Sequence, residues 1–111
     1  MKGWDSMKLI YVIIRNTDSS QVMESLNRKG FYVTKLASTG SFLKEGNTTL
    51  MIGTDADKVD EVIGIVKKEC GPRQQIVSSP VGPAEFVSTQ VVVNVGGATI
   101  FVMDVDRFER I

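Results

Sequence analysis

The residues best suited to chemistry in this chain of 111 residues lie in one stretch, FYVTKLASTGSFLKEGNTTLMIGTD, from Phe31 to Asp55. Phe42 offers an aromatic face and Leu43 an apolar one, while Thr34, Asn47 and Thr48 carry hydroxyl and amide groups. That set suits a flat heteroaromatic ligand, stacked on Phe42 with its polar edges hydrogen-bonded by Thr34, Asn47, Thr48 and backbone N–H groups. A second reading is open. Two apolar residues on a loop tip gain nothing in water, so the loop could instead pack on its own sheet or on a neighbouring subunit.

Other chemistry is narrowed by what the chain lacks. Cys70 is the only cysteine and there is no histidine, which removes an intramolecular disulfide, a thiolate–imidazole pair and the usual transition-metal sets within one chain. Cys70 falls at the end of an amphipathic helical pattern, before Gly71-Pro72, and reads as packing. The carboxylates Asp55, Asp57, Asp60 and Glu61 could be read as an enzyme's acid–base set. They also open a helix, where acids favour the N-terminal dipole, and that structural role suffices. Thirteen basic residues balance 13 acidic ones with no basic run, so no polynucleotide partner is expected. The apolar runs Leu9 to Ile14 and Thr99 to Met103 have strand length, far short of a spanning helix, and the start carries no signal layout. No membrane association and a cytoplasmic location are expected.

The elements that must position the Phe31–Asp55 stretch follow from periodicity. Residues 1–6 fit no element and read as a leader or upstream extension; residues 7–111 read as one domain. MKLIYVIIR has the composition of a central strand covered on both faces or lying at a subunit interface. Asp18, Ser19 or Ser20 would cap a first helix, with Val22, Met23 and Leu26 inward and Gly30 as its stop. FYVTKLAS alternates as a strand, Thr39 to Asn47 makes a loop, and Thr48 to Thr54 resumes the strand pattern. Thr54 or Asp55 would cap a second helix with Val59, Val62, Ile63 and Val66 inward. Arg73 to Ser79 reads as a short strand, and Ser79 to Phe86 as a loop, whose Phe86 is a second candidate ligand or interface aromatic. Two further β runs, Thr89 to Val95 and Ala98 to Val105, are divided at Gly96-Gly97 by a hairpin or a sharp bend.

The order βαββαβ, with an extra hairpin before the last strand, predicts an α+β, ferredoxin-like split βαβ fold. Both helices would cover one sheet face. The other face would lack cover although its strands are apolar on both sides, which predicts oligomerisation through the sheet.

The run TKLASTGSFLKEGNTT, Thr34 to Thr49, with GGATIFVM from Gly96 to Met103, resembles the PII-like cyclic di-AMP receptors. The likeness spans Met7 to Asp106, and GGATIFVM is also similar to the final strand of PII signalling proteins. It implies a homotrimer with ligand sites in clefts between subunits, a T-loop at Thr39 to Asn47 and a B-loop at roughly Gly71 to Gln90. Thr34 would contact the ligand, Phe42 and Leu43 would enclose an adenine, and Asn47, Gly53, Gly96 and Gly97 would be further pocket positions. Lys35 is the candidate to neutralise a phosphate. Gly30 and Tyr32 stand where the family carries asparagine and arginine; Tyr32 would stack on a base, with Arg73, Arg107 or Arg110 supplying charge.

The expected function is therefore a signalling receptor, not an enzyme, with no cofactor, that binds cyclic di-AMP and passes the signal to an unidentified protein by rearranging its T-loop and B-loop. The alternatives are a PII-like trimer binding ATP, ADP or another small anion, and an interaction module without a ligand.

Overall fold

MKLIYVIIR forms strand β1 (Met7–Arg15), and its two faces have different surroundings. Ile10, Val12 and Ile14 are buried, whereas Leu9, Tyr11 and Ile13 on the opposite face are half-buried. The computed structural model describes residues 6–36, 46–80 and 88–111.

Helix α1 (Asn16–Arg28) starts where β1 ends, with Arg15 as its N-cap and no capping side chain. This is earlier than the Asp18 to Ser20 start expected from sequence. Tertiary bonds explain the difference: the Asn16 N–H donates to the Gly46 carbonyl at 2.8 Å, and the Thr48 hydroxyl donates to the Asn16 side-chain oxygen. Ser19 instead donates back to the Asn16 carbonyl at 2.9 Å, and Asp18 receives Arg73 at 3.0 Å. The helix ends at Gly30, whose φ of 91° suits glycine. The Phe31 N–H reaches the Leu26 carbonyl and the Gly30 N–H reaches that of Asn27, both at 3.0 Å, a Schellman stop sealed by buried Phe31 and Leu26.

Strands β2 (Val33–Leu36) and β3 (Asn47–Asp55) follow. A 3₁₀ turn at Ala56–Lys58 then delays helix α2 to Val59–Cys70, so neither Thr54 nor Asp55 caps it. Val62, Val66 and Cys70 are buried on its inner face, with Val59 and Ile65 partly so. Strands β4 (Arg73–Pro80) and β5 (Ser88–Val95) pair antiparallel with each other, and β6 (Ala98–Asp104) returns to β1. Gly96-Gly97 is therefore a bend that hands the chain from one sheet to another, not a hairpin turn.

The main sheet has the order β2-β3-β1-β6, antiparallel throughout, with two helices between its strands in sequence. This is the ferredoxin-like arrangement with an added β4–β5 hairpin. Val33, Ile52 and Ile10 line up across one face with Leu50, Val12 and Ile100, and both helices supply apolar partners to that side. Ile10, Val12, Leu50 and Ile52 are fully buried there, and each contributes about 1.5–3 kcal/mol. Among the described residues no helix is long and apolar enough to cross a membrane.

Candidate functional site

The register decides which predicted site residues can meet. Directly opposite residues of an antiparallel ladder share a face. On the face away from the helices, Thr34, Met51, Tyr11 and Phe101 form one row across the sheet, and Gly53, Leu9 and Met103 the next. Asn47 and Arg15 close the series at the far end of β1. Phe101 and Met103 are exposed there, so this face is apolar and incompletely covered.

A cavity of about 590 Å³ opens where β1 begins and β3 ends, lined by Met7, Lys8, Leu9, Tyr32, Thr34, Met51 and Gly53 on the sheet side. Val105, Phe108, Glu109 and Arg110 of the C-terminal segment complete it, after the Val105 N–H joins the Met7 carbonyl at 3.2 Å. Three predicted residues, Tyr32, Thr34 and Gly53, thus converge. Tyr32 is 90% exposed, an aromatic ring with almost no cover from its own chain. A Cβ built on Gly53 would meet nothing within 4 Å, so its missing side chain leaves room in the cavity and is not demanded by backbone packing.

A second cavity, of about 390 Å³, lies at the other end of the sheet and is lined by Ile13, Ile14, Arg15, Asn47, Gly96, Gly97, Ala98 and Thr99. Here Asn47, Gly96 and Gly97 converge. The glycines have separate local duties. A Cβ on Gly96 would sit 2.6 Å from the Gly71 carbonyl oxygen and 2.9 Å from that of Cys70, at a φ of +85°, so this glycine lets the bend press on the end of α2. Gly97, at φ +96°, donates its N–H to the Cys70 carbonyl. Between the two cavities, the Thr49 hydroxyl is buried without a hydrogen-bond partner, the kind of group that calls for a ligand or solvent.

Not every expected residue comes to these cavities. Lys35 pairs with Leu50 in register, which places it on the helix side, away from Thr34. Arg73 is held by Asp18, and Arg107 bonds Glu109 at 3.1 Å; of the three arginines expected to supply charge, Arg110 alone lines either of these two cavities. Phe42, Leu43 and Phe86 lie outside the described residues. Sequence reasoning missed Phe108, which the amphipathic pattern of the tail could have flagged, and Arg15, a cation where a helix would prefer a small polar cap. Burial raises the Cys70 thiol above its ordinary value of 9.0, with Asp18 adding and Arg73 opposing, and its Sγ–H donates to the Val66 carbonyl at 3.1 Å. Such a thiol is a packing group. Among the described residues no group of His, Cys, Asp and Glu is placed to hold a metal ion.

Two open cavities on one ferredoxin-like sheet, with aromatic, hydroxyl, amide and guanidinium linings, are the marks of a small-molecule-binding module. The family model of the cyclic-di-AMP receptor matches residues 7–111, and the chain belongs to that PII-like family, which consists of signalling binding proteins and not enzymes. A crystal structure of a functionally unknown protein from Pediococcus pentosaceus ATCC 25745 is similar to it, at 36% sequence identity and a TM-score of 0.78, covering 96% of this chain and 99% of that one.

Proposed function

We propose that this protein is a homotrimeric receptor that binds cyclic di-AMP in clefts between its subunits and signals by reordering the segments around 39–47 and 71–90. The observation that carries the reading is the convergence of Tyr32, Thr34 and Gly53 in one cavity and of Asn47, Gly96 and Gly97 in the other, in a chain of the cyclic-di-AMP receptor family. Both cavities open to solvent among the described residues, which leaves part of a bound ligand for other groups to cover. A second copy laid against the apolar open face supplies the remainder.

In this reading Tyr32 and Phe108 stack on a purine over the space left by Gly53, with the Thr34 hydroxyl reading its edge. Phe42 and Leu43 enclose the other adenine, and Asn47 bonds the ligand at the start of β3. Ligand binding selects the loop arrangement that a downstream protein distinguishes.

Isothermal titration of the purified protein with cyclic di-AMP, beside ATP and cyclic di-GMP, tests this. The expected result is saturable heat with cyclic di-AMP alone, at about one ligand per chain, and mass by light scattering near three chains. Binding of ATP alone would transfer the reading to a mononucleotide sensor on the same fold.

A further inference from the structure

We infer that Arg15 is an oxyanion-binding residue of the Asn47 cavity, taking a phosphate of the bound nucleotide. The inference deepens the nucleotide reading and rests on it. A ligand with two phosphates brings negative charge into a half-buried cleft, and that charge needs a cation close by. The structure discriminates among the candidates. Arg110 lines the other cavity, next to Glu109, while Lys35 is on the other sheet face, Arg73 is engaged by Asp18, and Arg107 is engaged by Glu109.

Arg15 differs from all three. It is exposed, it enters none of the ion pairs formed among the described residues, and it lines the cavity that Asn47, Gly96 and Gly97 share. Among the described residues it is the only charged one lining that cavity, and it stands directly opposite Asn47 in the β1–β3 ladder. The two residues thus face one cavity from paired positions, a guanidinium fork and an amide suited to donate to oxygens of one phosphate.

No structural duty accounts for Arg15. It occupies the N-cap of α1 without capping it, where a cation opposes the helix dipole and Ser, Thr, Asp or Asn would stabilise the helix. The first helical N–H is already taken by the Gly46 carbonyl. A local rule broken without a local gain is expected at a functional position.

Arg15→Gln and Arg15→Lys, titrated with cyclic di-AMP and with ATP at low and high salt, test the inference. Arg15→Gln is expected to weaken binding by roughly tenfold to a hundredfold. It should also flatten the dependence of affinity on salt, with an unchanged melting temperature and partial recovery in Arg15→Lys. Equal affinities for wild type and Arg15→Gln overturn the inference and leave the receptor reading standing. If wild type ignores cyclic di-AMP yet binds ATP with the same dependence on Arg15, the inference stands and the cyclic di-AMP reading falls. Wild type that binds neither nucleotide overturns both.

Discussion

Gly53, Gly96 and Cys70 show three ways in which a single position can matter. Gly53 faces open space in the cavity it lines with Tyr32 and Thr34, so Gly53→Val is expected to fold as well as wild type, since valine favours strands, while abolishing cyclic di-AMP binding in a titration if the ligand sits there. A comparable loss of melting temperature would mean that the glycine serves the fold. Gly96 is the reverse case: a left-handed φ and two close carbonyls predict that Gly96→Ala costs about 1–3 kcal/mol in urea unfolding. Cys70 gives a pH signature. Because the folded chain holds the thiol proton more tightly than the unfolded chain, its effect on stability is absent well below pH 9.0 and stability falls as pH rises from there toward the raised folded value. Denaturant melts between neutral and alkaline pH should show that decline, and Cys70→Ala should flatten it at a cost of about 1 kcal/mol at neutral pH.

At the scale of elements, both helices, the split order of strands and the apolar stripes Val22–Leu26 and Val62–Val66 were legible, because each follows from local periodicity. Helix starts were not. Asn16 is recruited by Gly46 and Thr48, residues 30 and 32 positions away in sequence, and no local pattern announces such a bond. The same limit hid the site's division. Thr34 and Lys35 are neighbours in sequence and look like partners, yet strand alternation sends them to opposite faces, and only the register with β3 shows which face is open. The amphipathic tail marks Phe108 as an apolar side chain needing cover, but which cavity it lines depends on the tail docking at Met7. The Asp18–Arg73 pair joins α1 to the start of β4, and Asp18 is largely buried while Arg73 is half exposed. Arg73→Ala leaves a buried carboxylate without its cation and is expected to cost about 1–3 kcal/mol, less than a fully buried pair because water reaches Arg73. Chemical unfolding of Arg73→Ala beside Arg73→Gln would separate the lost charge from the lost packing.

For the whole molecule, the decisive contrast is between the two faces of one sheet. Leu50 and Ile52 lie under both helices, and Leu50→Ala should cost about 2–5 kcal/mol on unfolding. Leu9, Tyr11, Met51, Phe101 and Met103 look outward on the other side, a continuous apolar surface across three strands. If copies assemble through it, Phe101→Asp will shift the protein to a smaller species in sedimentation, and ligand binding will be lost with assembly. Retention of wild-type mass in that variant would place the contact elsewhere.

The edge position of β6 has a consequence for the chain as a single copy. Among the described residues, Ala98–Asp104 hydrogen-bonds to β1 on one side only, and TIFVM carries neither the lysine nor the proline that blunts an exposed edge. A newly made single chain therefore offers a sticky β-template, the kind of segment that seeds aggregates. If the chain self-associates, substitutions that weaken the association should announce themselves first as insoluble protein in the expressing cell, and Val102→Lys, at a position already 43% exposed, should restore solubility without touching the face that carries Phe101 and Met103.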